Sequence, residues 1–240
     1  MAANPKTLRI VAARPEGASA RVLEIESVDG SALSSSSGKY IIVDTGVMSG
    51  DRPVKRAYSL IPVPESPHRA RLIVKRIGEG SRALHAAPVG TELSFSGPWG
   101  KLLSAVPEAQ RTLVVATDTG ITTALGLVAH AETRSCRLLE VLWLRAEDET
   151  FLEVDDVRQR VEAAGVRFLH AAIAPARAPN RLTASRAHIE ARVKELGAEL
   201  VLAAGDGDIV HPLRTQLDSV RDVRIECFFH NPERKVATVA

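Results

Sequence analysis

Short apolar or alternating stretches, separated by turn-forming residues, fill the first part of the chain. Glycine, proline, serine and aspartate lie between these stretches, as in Pro15-Glu16-Gly17 and Gly78-Glu79-Gly80. Six stretches have the length and composition of short β-strands: residues 8–13, 20–25, 40–43, 57–61, 72–77 and 92–95. This regular spacing predicts a small antiparallel six-stranded β-barrel.

Beyond about residue 105 the pattern changes to apolar runs that alternate with stretches of helical spacing. The apolar runs are typical of strands buried on both faces, and they occupy residues 113–116, 138–144, 166–171, 200–203 and 223–229. The helical spacing predicts helices between them, over residues 121–131, 154–164, 183–196 and 210–217. Strict alternation of strand and helix indicates right-handed crossovers, and hence a doubly wound parallel five-stranded sheet.

Two patterns in one chain predict two domains. We place the β-barrel in residues 1–105 and the α/β domain in residues 106–240, because Pro107 and its polar neighbours interrupt both patterns. A parallel doubly wound sheet binds ligands beyond the carboxyl ends of its strands. Turns that follow the predicted strands are therefore the places to look for chemistry.

Composition narrows the class of protein. The 240 residues are 45% hydrophobic and 25% charged, and the formal net charge of +2 creates no strong field for nucleic acid or an anionic membrane. No apolar run reaches the ~18 residues of a membrane-spanning helix. Residues 1–7 lack the apolar core of a signal peptide. We therefore expect a cytoplasmic protein with neither a nucleic-acid nor a membrane partner.

Cysteine and histidine usage predicts no metal site. The only cysteines are Cys136 and Cys227, too few for a four-thiolate iron–sulfur site. No cluster of cysteine and histidine has the spacing of a zinc site.

The stretch Arg56-Ala57-Tyr58-Ser59 is the first with chemical promise. In a strand, alternation puts Arg56 and Tyr58 on one face. The guanidinium can bind phosphate oxygens, the tyrosine ring can lie against a flat ring, and the serine adds a hydrogen-bond donor. By itself the stretch also fits an ordinary strand with a surface arginine.

Glycine-rich turns supply the other promising stretches. Gly80 and Ser81 open a short helical segment whose exposed N–H groups favour an anion. Thr119, Gly120 and Ile121 follow the first buried strand, and Gly205 follows the fourth, an arrangement typical of phosphate binding. Each turn also fits a purely structural role, and so does the Gly97-Pro98-Trp99-Gly100 loop at the end of the barrel.

Taken in order, these segments resemble the ferredoxin–NADP reductase family across essentially the whole chain. Family motifs run from Arg-x-Tyr-Ser through a Gly…Ser phosphate turn and Gly-Pro-x-Gly to Gly-Thr-Gly-Ile, Cys-Gly-Pro and Glu-x-aromatic. The corresponding positions here are 56–59, 80–81, 97–100, 118–121, 204–206 and 226–228. The motifs on the flavin side match closely, and those on the nicotinamide side match with changes.

The resemblance implies FAD and NAD(P)H as cofactors. Arg56, with the adjacent Ala57, would bind the FAD diphosphate, Tyr58 would stack on the isoalloxazine and Ser59 would hydrogen-bond near flavin N5. Gly80 and Ser81 would hold the diphosphate. The remaining implied contacts lie near the dinucleotide or close the site, with Ser59 and Glu226 nearest the reaction: Thr119, Gly120, Ile121, Gly205, Glu226 and Phe228.

Three residues depart from the family pattern. Asp118 stands in place of the first glycine of its turn, Ala204 replaces a cysteine and Asp206 replaces a proline. A carboxylate that faced a diphosphate would weaken binding by ~1–4 kcal/mol. Either both aspartates point away from the dinucleotide, or its binding is weak or altered.

The choice between NADPH and NADH is less clearly encoded. Arg145 follows the second strand, and Arg177, Arg181 and Arg186 follow the third. These arginines could bind a 2′-phosphate, and they favour NADPH. The acidic Glu147 and Asp148 favour NADH.

The function implied is hydride transfer from NAD(P)H to FAD, followed by electron transfer to a separate redox carrier protein. The carrier would be a ferredoxin, a flavodoxin or an oxygenase component, since the sequence contains no iron–sulfur motif of its own. Two alternatives stay open. One is a reductase of free flavin or another small acceptor. The other is a non-catalytic FAD-binding electron-transfer subunit or redox sensor, suggested by Asp118, Ala204 and Asp206.

Overall fold

A computed structural model describes residues 6–33, 38–64, 66–103, 111–129 and 138–229. The chain divides into two compact units. Unit 1 contains residues up to Lys101 together with Thr150–Glu153, and unit 2 contains Leu102–Glu149 and the residues from Val154 onward. Within the described residues, no helix has both the length and the apolar character needed to cross a membrane.

Over its described residues, unit 1 is an antiparallel sheet with one helix, α1 (Glu79–Ala86). Its strands are β1 (Lys6–Glu16), β2 (Ala20–Ser27), β3 (Tyr40–Ser49), β4 (Arg52–Ser59), β5 (Ile61–Pro62), β6 (Arg69–Lys75) and β7 (Glu92–Trp99). They lie in the order β4-β3-β7-β1-β2-β6-β5, so the sheet is barrel-like without being closed by hydrogen bonds. Alternating apolar side chains fill its interior, among them Leu8, Ile10, Leu23, Ile25, Ile41, Val43 and Phe95.

The described part of unit 1 has seven strands where the sequence predicted six. The predicted strand at 57–61 is interrupted at Leu60, whose N–H donates to the Lys39 carbonyl at 2.8 Å. Before Leu60 the chain pairs with β3, and after it the chain pairs with β6. Ser59 and Leu60 are both buried, which breaks the inward–outward alternation. The two edge strands of the sheet are thus consecutive in the chain.

Unit 2 is a parallel doubly wound sheet, as predicted. Its strands are β8 (Arg111–Thr117), β9 (Leu138–Ala146), β10 (Arg167–Ile173), β11 (Leu200–Asp206) and β12 (Asp222–Phe229), in the order β10-β9-β8-β11-β12. Its helices are α2 (Ile121–Val128), α3 (Val154–Ala163), α4 (Arg181–Leu196), α5 (Gly207–Val210) and α6 (Leu213–Gln216), with a 3₁₀ turn at Asp118–Gly120. The strand order reverses between β8 and β11, and ligands bind such sheets at that point.

Two predicted helices differ in detail. The helix expected at 210–217 is two short helices, because Pro212 between them has no N–H with which to continue α5. The helix expected from 183 begins at Arg181, and Asn180 occupies its N-cap position. The proposed caps Thr183 and Ser185 therefore lie inside α4. The last residues of the helix predicted at 121–131 lie outside the described residues.

Two glycines let the chain approach itself closely at the strand-order reversal. A Cβ at Gly120 would lie 2.2 Å from the Ala204 carbonyl oxygen, and one at Gly205 would lie 2.2 Å from Thr117 Oγ1. No real Cβ tolerates such contacts. Because both residues are glycine, the turns after β8 and β11 can pack directly against each other.

We expect Gly120→Ala to reduce the free energy of unfolding by about 3 kcal/mol, because the added methyl group forces the backbones apart. Gly165→Ala is a useful comparison. Gly165 has φ +76° and no atom within 4 Å of a Cβ, so its substitution carries only the left-handed backbone penalty of about 1–2 kcal/mol. Urea unfolding measures both, and a smaller loss for Gly120→Ala than for Gly165→Ala would contradict the close approach.

Candidate active site

A cavity of about 500 Å³ lies in unit 1 beside α1. It carries three cationic side chains and one carboxylate, and its lining residues are Ser49, Arg52, Pro53, Val54, Lys55, Arg56, Glu79 and Gly80. Positive charge in a concave site favours an anionic ligand. The predicted contacts Arg56 and Gly80, distant in sequence, line the same cavity.

One side of this cavity is β4, whose consecutive residues 52–56 line it, and the other side is the start of α1. Arg52, Val54 and Arg56 lie at alternate positions of β4, on one face. Gly80, in the first turn of α1, approaches the strand so closely that a Cβ would lie 2.9 Å from Val54 Cγ1. The N–H groups of a first helical turn lack partners within the helix and carry the positive end of its dipole. The cationic side chains of β4 and the first turn of α1 therefore lie beside the same cavity.

The Ser81 hydroxyl makes hydrogen bonds within its own turn. Its Oγ accepts hydrogen bonds from the N–H groups of Ile77, at 2.9 Å, and Gly78, at 3.0 Å, and donates to the Gly78 carbonyl. The side chain is also buried. These bonds occupy the hydroxyl that was expected to reach a diphosphate, so Ser81 shapes the turn that presents α1.

Tyr58 lies on the same face of β4 as Arg56, opposite Ile41 of β3. It is half-buried against the barrel core. Burial raises the pKa of its phenol to about 12, although the nearby Arg56 cation acts in the opposite direction. Ala57 is exposed, whereas Ser59 is buried. Arg56 and Tyr58 therefore share one face of β4, and Ala57 and Ser59 share the other.

A buried ion cluster lies at the strand-order reversal of unit 2, and the sequence did not reveal it. Arg181 pairs with Asp118 through Nη2 and Oδ2, and its Nε lies 3.6 Å from Asp206 Oδ2. The arginine side chain is 0% exposed. We call Asp118, Arg181 and Asp206 the buried triad. Two of its members are the departures from the family pattern, and both turn inward.

Asp118 has a partner for each of its oxygens. Oδ1 accepts the Ala146 N–H at 3.1 Å, and the backbone carbonyl accepts the Trp143 indole N–H at 2.9 Å. The residue has φ +47°, the left-handed conformation that favours glycine and is tolerated by aspartate. Burial raises the pKa of its carboxyl, and the Arg181 cation and the Ala146 N–H partly oppose that effect.

Asp206 is held just as firmly. Its Oδ1 accepts the Asp208 N–H at 3.0 Å and so caps α5, while its own N–H donates to Thr117 Oγ1 at 2.7 Å. Only 1% of the side chain is exposed.

Burial leaves Arg181 no surface at which a 2′-phosphate could contact it, so its predicted cofactor role is replaced by an ion pair inside unit 2. Ile121 is likewise 0% exposed, and Gly120 is buried against Ala204. In the turn after β8, Thr119 is the half-buried residue. Gly205 is buried against Thr117, so its lack of a side chain serves the backbone contact.

The other predicted contacts in unit 2 are partly accessible. Arg145 is half-buried, and its guanidinium carbon lies 5.6 Å from the centre of the Trp143 ring. Glu226 and Phe228 lie on β12 and are half-buried, with Glu226 opposite Ala204 of β11. The described residues contain no group of acidic, histidine or cysteine side chains that could hold a metal ion.

Sequence reasoning missed Arg52 and Lys55 as part of the cavity. Alternation along β4 could have identified Arg52, since it shares a face with Arg56. The partners of Arg181 were not identifiable in this way, because Asp118 lies 63 residues earlier in the chain.

Comparison with known proteins identifies related sequences. Residues 17–103 match the family described as Oxidoreductase FAD-binding domain. A protein named ferredoxin–NADP reductase B, from Sorangium cellulosum, is 30% identical over 207 residues, which are 85% of this chain and 83% of that protein.

Solved structures share the fold at lower identity. The siderophore interacting protein from Acinetobacter baumannii matches with a TM-score of 0.73 and 14% identity, over 98% of this chain and 96% of that one. A ferredoxin reductase in carbazole 1,9a-dioxygenase matches with a TM-score of 0.69 and 15% identity, over 94% of this chain and 70% of that one. Phthalate dioxygenase reductase matches with a TM-score of 0.66 and 18% identity, over 93% of this chain and 68% of that one.

The burial of Tyr58 predicts that its phenol ionises at a higher pH than an ordinary tyrosine. In a Tyr40→Phe variant, which leaves one tyrosine, phenolate absorbance should rise with a midpoint near pH 12, not near the ordinary 10.0. Because the folded-state pKa lies above the unfolded value, the unfolded chain loses the proton first and stability should fall between these two values. A midpoint near 10 in the folded protein would contradict the burial of this ring.

Proposed function

Since this chain belongs to the ferredoxin–NADP reductase family of FAD-binding oxidoreductases, we propose that it transfers hydride from NAD(P)H to FAD and passes the electrons to a separate redox carrier. The cofactors supply the hydride and electron chemistry, and the protein supplies binding, orientation and electrostatics. We assign FAD to the barrel, residues 1–105, and the dinucleotide to the α/β domain, residues 106–240.

The cationic cavity beside α1 carries the proposal. A diphosphate needs hydrogen-bond donors and positive charge, and the cavity offers Arg52, Lys55 and Arg56 together with the first turn of α1. In this proposal Arg56 and the Gly80 turn hold the diphosphate. Tyr58, on the same face as Arg56, lies against the isoalloxazine, and Ser59 orients the ring.

The dinucleotide is assigned to the carboxyl edge of the sheet in unit 2, where the strand order reverses. The sequence raised the concern that Asp118 and Asp206 would repel a diphosphate there. Both carboxylates instead turn to Arg181, which supports dinucleotide binding and removes the main reason to consider a non-catalytic subunit. Glu226 and Phe228 remain our proposed contacts near the flavin.

We propose NADPH as the preferred donor. Arg145 is half-buried beside Trp143, and Arg177 and Arg186 are exposed, so a 2′-phosphate could reach these arginines. Glu147 and Asp148 are exposed, so they can turn toward solvent. The name of the Sorangium relative, a ferredoxin–NADP reductase, agrees with this choice.

The proposed electron acceptor is a carrier protein such as a ferredoxin, a flavodoxin or an oxygenase component. The Sorangium protein is named for ferredoxin and two of the structural relatives are named as reductases for dioxygenases, which supports a protein acceptor. Reduction of free flavin is the competing outcome of the experiment that follows.

Anaerobic titration of the purified, FAD-loaded protein tests the central reaction. NADPH should bleach the flavin absorbance at lower concentration than NADH does, and ferricyanide should then be reduced catalytically. Steady-state rates with ferredoxin, flavodoxin and free FMN separate the acceptors. A protein that holds FAD but is bleached by neither dinucleotide would refute the proposal.

Arg56→Ala should weaken FAD binding by ~1.5–3 kcal/mol, the range for a hydrogen bond to a charged group. The measurement is the FAD retained after dialysis, followed by a binding titration of the apoprotein. Arg82→Ala is the matched control, because Arg82 is an exposed cation of α1 that does not line the cavity. Equal affinities of the two variants would argue against a diphosphate contact at Arg56.

A further inference from the structure

We propose that Arg181 is a positioning residue for the dinucleotide site, acting through Asp118 and Asp206 to fix the two turns that flank the strand-order reversal. This inference rests on the proposed function, because it concerns the same dinucleotide. It adds a residue that does not contact the ligand and that the sequence alone assigned to direct binding.

Arg181 connects three segments that follow three different strands. Its Nη2 pairs with Asp118 after β8, its Nε lies 3.6 Å from Asp206 at the end of β11, and its Nη1 donates to the Ala174 carbonyl, just after β10, at 2.7 Å. Nη1 and Nη2 therefore make hydrogen bonds to two segments, and Nε makes a longer ion pair, without a hydrogen bond, to the third. A planar fork with several donors is suited to this task, whereas the single ammonium of lysine is not.

Asp118 extends the connection to a fourth strand. Its Oδ1 accepts the N–H of Ala146, the last residue of β9. The carboxyl ends of β8, β9, β10 and β11 are thus linked through one buried cluster. Ligands of doubly wound sheets bind beyond this edge, so a displacement of the triad would be transmitted to the binding surface.

The turns held by the triad contain the groups that we assign to the dinucleotide. Thr119 directly follows Asp118 and is half-buried, while Asp118 itself is turned inward with φ +47°. Loss of the pairing would release Asp118 to turn outward, where its charge would repel a diphosphate. The triad therefore both orients Thr119 and keeps two carboxylates away from the ligand.

The chain offers a closely matched control in the same helix. Arg192 of α4 is also buried and ion-paired, with Nε donating to Glu140 Oε2 at 2.7 Å and Nη1 lying 2.6 Å from Glu195. Glu140 lies near the amino end of β9, at the opposite edge of the sheet. Arg192→Lys breaks the same kind of buried contact without touching the carboxyl edge.

The experiment compares FAD-loaded wild type, Arg181→Lys and Arg192→Lys by calorimetric titration with NADP⁺ and NAD⁺ and by stopped-flow flavin reduction. We expect Arg181→Lys to bind the preferred dinucleotide about 10- to 100-fold more weakly, within the range typical of energetic coupling between two sites. Its limiting rate of flavin reduction at saturating NADPH should stay within about twofold of wild type, because the variant weakens the binding of ground state and transition state equally. Arg192→Lys should bind like wild type.

Each outcome decides the inference. Unchanged dinucleotide affinity in a folded Arg181→Lys protein, or an equal loss in Arg192→Lys, would overturn it while leaving the proposed function intact. A wild-type protein that binds neither dinucleotide would overturn the proposed function as well. If Arg181→Lys does not fold, Arg181→Gln replaces it, because the amide keeps a hydrogen-bond donor, removes the paired charge and leaves both carboxylates in place. Wild-type affinity in that variant would also overturn the inference.

Discussion

The carboxyl edge of the parallel sheet depends on the sharing of one buried guanidinium by two aspartates. The Arg181 side chain has no exposed surface, the Asp206 side chain is 1% exposed and the Asp118 side chain is 12% exposed. Removing one partner from such a cluster leaves an uncompensated buried charge, which costs about 3–5 kcal/mol. The close approach of Gly120 to Ala204 and of Gly205 to Thr117 brings the two aspartate-bearing turns together. Backbone packing and ion pairing thus support the same edge.

The barrel prepares for an anion in a different way. Its cavity presents cations at the surface, and Gly80 allows the start of α1 to approach β4. Ser81 stabilises that turn internally by accepting hydrogen bonds from the Ile77 and Gly78 N–H groups. Unit 1 therefore has cationic side chains around its cavity, whereas unit 2 buries two carboxylates. Both arrangements suit the phosphate-bearing ligands that we propose.

Much of the fold follows from the sequence, since alternation and apolar runs identified both sheets. The exceptions have local causes. The strand at 57–61 divides because Ser59 and Leu60 are both buried, and the last predicted helix divides at Pro212. The site was harder to predict: strand alternation put Arg56 and Tyr58 on one face, but position after a strand wrongly suggested an accessible Arg181. Its burial depends on tertiary contacts with residues far along the chain, which no local pattern encodes.

The buried triad also constrains how this sequence can change over time. Exchange of any one member leaves the other two mismatched inside the protein, so substitutions at these three positions should be inherited together or not at all. Relatives that carry glycine where this chain has Asp118 lack one of the charges that Arg181 requires. A search for sequences that contain all three residues would therefore define a subgroup of the family. That subgroup would be defined by buried residues and not by the residues that touch a ligand.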